Sequence, residues 1–129
     1  MPAASAIKVL VVDDQLTMRA LIRSALQEIG IRDIADAGDG EEGIKSLLGR
    51  PAHLVISDFN MPKMDGLGFL RAVRVNEATK KSAFIMLTGR ADKDLVQRAI
   101  QFGVNNYITK PFSPAQLRQK IEEVFGPLT

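Results

Sequence analysis

Four apolar runs in this chain each end in a group that could do chemistry. Ile7 to Val12 ends in Asp13-Asp14, Leu54 to Ser57 in Asp58, Ala83 to Leu87 in Thr88, and Asn106 to Thr109 in Lys110. Three carboxylates gathered in one place repel one another, so at least one should hold its proton more tightly than usual. A hard divalent cation relieves that repulsion, and an oxygen donor set of carboxylates, backbone carbonyl and water suits Mg²⁺. Lys110 adds a fixed positive charge and Thr88 a neutral hydroxyl. Such parts serve phosphoryl transfer. Cations neutralise the equatorial oxygens, a hydroxyl and a nearby backbone N–H bind one of them, and a carboxylate attacks in line. Asp58 is the best candidate nucleophile, and an aspartyl phosphate would be its product.

The segment from Leu54 to Gly66 supplies the mount for that acid. Its short apolar run suits a strand buried on both faces of a parallel sheet, which would leave Asp58 where the chain exits the core. Pro62 fixes its own φ and biases Met61 toward an extended conformation, and Gly66 is expected to supply a permissive turn.

The elements that must position these groups alternate regularly. After the Ile7–Val12 run, Met18, Leu21, Ile22, Ala25, Leu26 and Ile29 recur at helical spacing, with Gly30 as the stop. Residues 34–37 form a short strand, and Asp39 followed by Glu42 reads as a capping box opening a helix through Ile44, Leu47 and Leu48. A helix with Leu67, Leu70 and Val73 follows the third strand. Another with Ala91, Leu95, Ala99 and Ile100 follows the fourth. Ser113, Pro114 and Gln116 combine an N-cap, a first-turn proline and a capping-box glutamine, and the helix they open is expected to bury Leu117, Ile121, Val124 and Phe125. Five strands alternating with five helices predict an α/β domain with a parallel sheet covered on both faces. In such a sheet all the strand C-termini share one edge, where ligands collect.

Composition narrows the function classes. The 129 residues suffice for one domain, expected to span 1–129 with no effector domain appended. A net charge of +2 gives no ground for nucleic-acid or membrane binding, and the absence of cysteine excludes disulfides and thiolate metal sites. No apolar stretch approaches the roughly 20 residues that span a bilayer, and Met1 to Ala6 lack the order of a signal peptide. A monomeric, bacterial-type cytoplasmic protein is expected.

The motifs Val11-Val12-Asp13-Asp14, Ser57 to Gly66, Leu87-Thr88-Gly89 and Tyr107 to Phe112 together resemble the receiver domains of response regulators, specifically the single-domain CheY-like chemotaxis regulators. The resemblance covers nearly all of the chain after its first residues. It implies a flavodoxin-like (βα)5 three-layer sandwich with strand order 2-1-3-4-5, and a phosphoacceptor signalling protein rather than an enzyme. Asp58 would accept phosphate from a phosphohistidine on a CheA-like sensor histidine kinase. Asp14, Asp58 and the Asn60 backbone carbonyl would bind Mg²⁺ directly and Asp13 through water. Lys110, ahead of a cis bond to Pro111, and the backbone N–H of Gly89 would contact the phosphoryl group. Thr88 and Tyr107 would form the switch. A face made of the fourth helix, fifth strand and fifth helix would then bind a flagellar motor switch protein or another target. That face carries Arg90, Lys93, Arg98, Arg118 and Lys120 among Asp92 and Asp94, a mixture that is also common on a merely solvated surface.

Two positions depart from the best-known members. Gly89 stands where alanine is common, and Arg90 replaces a frequently acidic residue, which leaves open the dephosphorylation rate and the action of any phosphatase. His53, the sole histidine, reads as structural. Within the class, a phosphate sink or a regulator of a non-motor target would share every site residue. Outside it, a phosphatase of the haloacid dehalogenase type needs an acid two residues after its nucleophile, where this chain has Asn60. A flavin carrier of the same fold would need a phosphate loop after the first strand, where Asp13-Asp14 would repel phosphate.

Overall fold

The structure is a computed structural model that describes residues 3–89 and 93–129. Its β-branched and apolar runs form five parallel strands: β1 (Lys8–Val12), β2 (Asp33–Ala37), β3 (Leu54–Asp58), β4 (Ala83–Thr88) and β5 (Asn106–Thr109). Their order is β2-β1-β3-β4-β5, as the resemblance implies. Between them run α1 (Leu16–Ile29), α2 (Gly40–Gly49), α3 (Gly66–Val75) and α4 (Lys93–Gln101), with α5 (Pro114–Phe125) after β5.

Alternation along the central strands divides the interior in two. Val9 and Val11, Leu54 and Ile56, and Ile85 and Leu87 pack with Ile22 and Leu26 of α1 and with Leu117 and Ile121 of α5. Leu10 and Val12, Val55, and Phe84 and Met86 turn to the other face, against Leu47 of α2 and Phe69, Leu70 and Val73 of α3. Every residue of β3 and β4 is buried, the signature of strands covered on both sides.

Local signals explain where helices begin and end. Gly30 takes a left-handed conformation (φ 104°) and donates its N–H to Leu26 and Gln27 carbonyls, closing α1. Ser113 and Gln116 form the reciprocal capping box at α5. At α2 only half of the expected box forms. Asp39 accepts from the Glu42 N–H, but Glu42 Oε2 reaches past Asp39 to the Gly38 N–H at 2.8 Å.

Some apolar positions at helical spacing are not core. Leu21 of α1, Leu48 of α2 and Ile100 of α4 are more than half exposed, and Val124 and Phe125 of α5 are only partly buried. Ala99 is the single buried residue among the described residues of α4. The C-terminal end of that helix is nevertheless tied to α3. Arg74 donates to the carbonyls of Gly103 (3.0 Å), Lys80 (2.9 Å) and Ser82 (2.6 Å) and to Asn105 Oδ1 (2.9 Å). His53 is structural, as expected: its Nδ1 accepts from the Lys8 N–H at 2.9 Å at the N-terminal edge of the sheet.

Candidate active site

Register assembles the site. Val12 pairs with Ser57, so the next residue of each chain segment, Asp13 and Asp58, stand side by side at the C-terminal edge. Carboxylate oxygens of Asp13, Asp14 and Asp58 all lie within 4.8 Å of one another. Thr88 pairs with Thr109, and the Lys110 N–H donates to the Thr88 carbonyl at 2.8 Å, which brings Lys110 to the same edge. Its Nζ is 2.7 Å from Asp58 Oδ1 and 3.9 Å from Asp13 Oδ2. The Lys110–Pro111 bond is cis, as the resemblance implies.

The three acids differ in environment. Asp14 is exposed, Asp58 is buried, and Asp13 is wholly inaccessible. Asp13 Oδ1 accepts the Gln15 N–H at 2.8 Å, whereas its Oδ2 has no hydrogen-bond partner among the described residues. Burial pushes the Asp13 carboxyl above the ordinary aspartate range. The Gln15 N–H opposes that shift, Asp58 and Asp14 add to it, and Lys110 offsets part of it. A buried, unpartnered carboxylate oxygen within a triad of acids is the donor set that a hard divalent cation completes, so these residues fit Mg²⁺.

The loop after β3 is held by its backbone. Ser57 Oγ donates to the Asp58 carbonyl (3.0 Å), the Phe59 N–H to Leu87 (2.9 Å), and the Gly66 N–H to the Phe59 carbonyl (2.8 Å). Asp65 then caps α3 by accepting the Gly68 N–H. Gly66 is needed for a different reason from the one its sequence context suggests. It is the first residue of α3 and has no positive φ, but a Cβ there would lie 2.7 Å from the Asp58 carbonyl oxygen and 2.8 Å from Phe59 Cα. The left-handed residue of this loop is instead Lys63, at φ 68°.

Asn60 and Gly89 line one cleft together with Thr88, Phe59 and, from α4, Asp94, Leu95 and Arg98. Tyr107 sits on β5 opposite Met86, half-buried, with Lys120 Nζ 5.4 Å from its ring centroid. Arg90, with Ala91 and Asp92, lies outside the described residues. Sequence reasoning passed over Arg19, whose Nη1 donates to the Asp13 carbonyl at 2.6 Å. A cation on the opening turns of the helix that follows Asp13-Asp14 was the available signal.

Residues 9–122 match the family described as the response regulator receiver domain. The chain belongs to that family. Among curated relatives, this receiver is 57% identical over 128 residues to a "Probable chemotaxis protein CheY" of Rhizobium etli, covering 99% of each chain. Among solved structures, it superposes on the Vibrio cholerae chemotaxis protein CheY4 with a TM-score of 0.86 and 31% identity, covering 96% of this chain and 99% of the other. It also superposes on the receiver domain of a Pseudomonas aeruginosa sensor histidine kinase, with a TM-score of 0.83 and 26% identity over 94% and 98% of the two chains. That structure holds a magnesium ion in its active-site cleft. The chain is therefore a CheY-like receiver with a flavodoxin-like fold. No described helix is long and apolar enough to cross a membrane.

Proposed function

We propose that this receiver accepts a phosphoryl group on Asp58 from a phosphohistidine of a CheA-like sensor histidine kinase and passes the signal to a partner in chemotaxis. The observation that carries the reading is the edge constellation: three carboxylates within 4.8 Å, with Lys110 Nζ 2.7 Å from Asp58 Oδ1. An Asp58 carboxylate oxygen attacks phosphorus, forming the O–P bond as the N–P bond to the donor imidazole breaks, and the imidazole leaves with its electron pair. Lys110 shifts from the carboxylate to the oxygens of the incoming group, while the Thr88 hydroxyl and the Gly89 N–H bind one of those oxygens. Asp13, Asp14, Asp58 and the Asn60 carbonyl are the residues that would hold Mg²⁺. When bound, the ion supplies charge neutralisation for the acids and for the transferring group.

The phosphoryl group replaces an ion-paired carboxylate with a bulkier dianion, and Thr88 and Tyr107 respond on β4 and β5. The surface they alter comprises α4, β5 and α5, with Lys93, Arg98, Arg118 and Lys120 on it. A flagellar motor switch protein is the favoured target, supported by similarity to the chemotaxis proteins named above. The receiver assists its own phosphorylation and dephosphorylation without turning over a separate substrate.

Incubation with radiolabelled acetyl phosphate and Mg²⁺ tests the first part: one phosphoryl group should be incorporated, and none into Asp58→Asn. Equal labelling of that variant refutes the assignment. For the output, capture with flagellar switch proteins in the presence of a phosphoryl mimic should retain the receiver. Absence of capture favours a phosphate sink or another target.

A further inference from the structure

Asp13 has four polar atoms, and three of them are tied down. Its N–H donates to the Ala37 carbonyl of β2 at 3.2 Å, its Oδ1 accepts the Gln15 N–H at 2.8 Å, and its carbonyl accepts Arg19 Nη1 at 2.6 Å. The fourth, Oδ2, is buried on the side that faces Lys110, without a hydrogen-bond partner among the described residues. Arg19 also closes a ring, because its own N–H donates to the Gln15 carbonyl at 3.0 Å. Asp13, Gln15 and Arg19 thus form one hydrogen-bonded loop at the start of α1, where no side chain caps the helix.

The guanidinium is itself anchored from the opposite side. Arg19 Nε faces Asp36 Oδ2 of β2 at 3.3 Å, a charge contact and not an aligned hydrogen bond, and Arg23 Nη2 approaches Asp36 Oδ1 at 3.8 Å. Gly38 leaves the room for this, since a Cβ there would stand 3.3 Å from Arg19 Nη1. A planar fork can reach a carbonyl with one nitrogen and a carboxylate with another, whereas a lysine offers a single point charge.

We infer that Arg19, held by Asp36, is a positioning residue for the divalent-cation site: by fixing the peptide between Asp13 and Asp14 it aims Asp13 Oδ2 and the Asp14 carboxylate at one point. The inference rests on the reading that these acids hold Mg²⁺. Groups that orient metal ligands from behind typically account for 10–100-fold of metal affinity. Charge alone makes the opposite demand. Removing a nearby cation should tighten binding of Mg²⁺ to the acids, so the sign of the effect separates orientation from electrostatics.

The test is calorimetric titration of the full chain with Mg²⁺ alone. Arg19→Ala should weaken binding about tenfold and Arg19→Lys nearly as much, because retained charge does not restore the two-sided contact. Asp36→Asn should weaken it less, and adding it to Arg19→Ala should cost nothing further. Arg74→Ala, which removes a clamp remote from the acids, serves as the control for destabilisation: it should lower thermal stability and leave Mg²⁺ affinity as in wild type. Wild-type or tighter affinity in both Arg19 variants overturns the positioning role, as does equal weakening in the Arg74 control. No Mg²⁺ binding by the wild-type chain removes the metal-site reading and the inference with it.

Discussion

Lys110 Nζ lies 2.7 Å from Asp58 Oδ1, so the cation proposed to bind the phosphoryl group is already paired with the proposed phosphoacceptor. The pair is largely buried, with 23% exposure at Lys110 and 8% at the Asp58 side chain. Deleting the lysine leaves Asp58 and Asp13 without the cation they share. Lys110→Ala should destabilise the metal-free protein by about 2 kcal/mol, below the roughly 3–5 kcal/mol of a fully buried pair. Urea unfolding in EDTA measures this, and Mg²⁺ should recover part of the loss. The same variant should label with acetyl phosphate about 100-fold more slowly.

Two aspartates at opposite ends of the sheet should give the metal-free protein a pH profile of opposing signs. Burial raises the Asp13 pKa, so the folded state binds its proton more tightly than the unfolded chain does. Stability falls as pH rises from the unfolded value of 3.8 through the raised value, and the penalty persists at neutral pH. Asp13→Asn should therefore raise Tm at pH 7 in EDTA by a few degrees. Asp33 is held below its ordinary range by the hydrogen bond from Arg50, so its contribution is present above pH 3.8 and is lost as pH falls through the lowered value. Because the pair with Arg50 is exposed, Asp33→Asn should lower Tm at pH 7 only slightly, and the difference from wild type should vanish as pH falls, flattening the acid limb. Thermal melts from pH 3 to 7 on both variants check the two signs.

Two glycines near the site should respond oppositely to the same methyl group. At Gly66 a Cβ meets two backbone atoms of the Asp58–Phe59 turn and Met86 Sδ at 2.6 Å, and Gly66→Ala should cost about 1–3 kcal/mol. At Gly89 no atom of the described residues stands within 4 Å of the added Cβ and φ is not positive, so Gly89→Ala should stabilise by about 0.4–1 kcal/mol through the unfolded chain. Denaturant midpoints at constant slope decide both.

Lys63 stores backbone strain in the same loop. A left-handed conformation costs an ordinary residue roughly 1–2 kcal/mol, which glycine avoids at the expense of its greater freedom when unfolded. Lys63→Gly should stabilise the protein by about 0.5–1 kcal/mol without altering Mg²⁺ affinity. A loss of stability would show that the strain is relieved in a way the backbone does not reveal.

The fold was legible because the apolar runs close on turn signals and four of the five strands, all but β2, end in a functional group. The sequence pattern predicts a strand over residues 106–109, the bounds β5 has. The acids, Thr88 and Lys110 converge as the alternating pattern required. What stayed hidden depends on neighbours distant in sequence. Leu21, Leu48 and Ile100 follow helical spacing, but no described element covers them. Lys63 gives no sign of its φ, since that conformation is set by the closure of the loop from Asp58 to Gly66. Arg19 reads as one more exposed cation on an amphipathic helix until the fold brings Asp36 beside it.

The pairing of Val12 with Ser57 has a bearing on what sequence change this receiver can absorb. Asp13 and Asp58 belong to segments more than forty positions apart, and the β1–β3 ladder sets the register that brings them side by side. A deletion inside either strand would move one acid by about 3.3 Å along the sheet and exchange which core each side chain enters. Added length in the connections costs little, because it leaves that ladder untouched. Helix surfaces and loops are thus free to drift toward new partners, while the two central strands work as a ruler whose length cannot change.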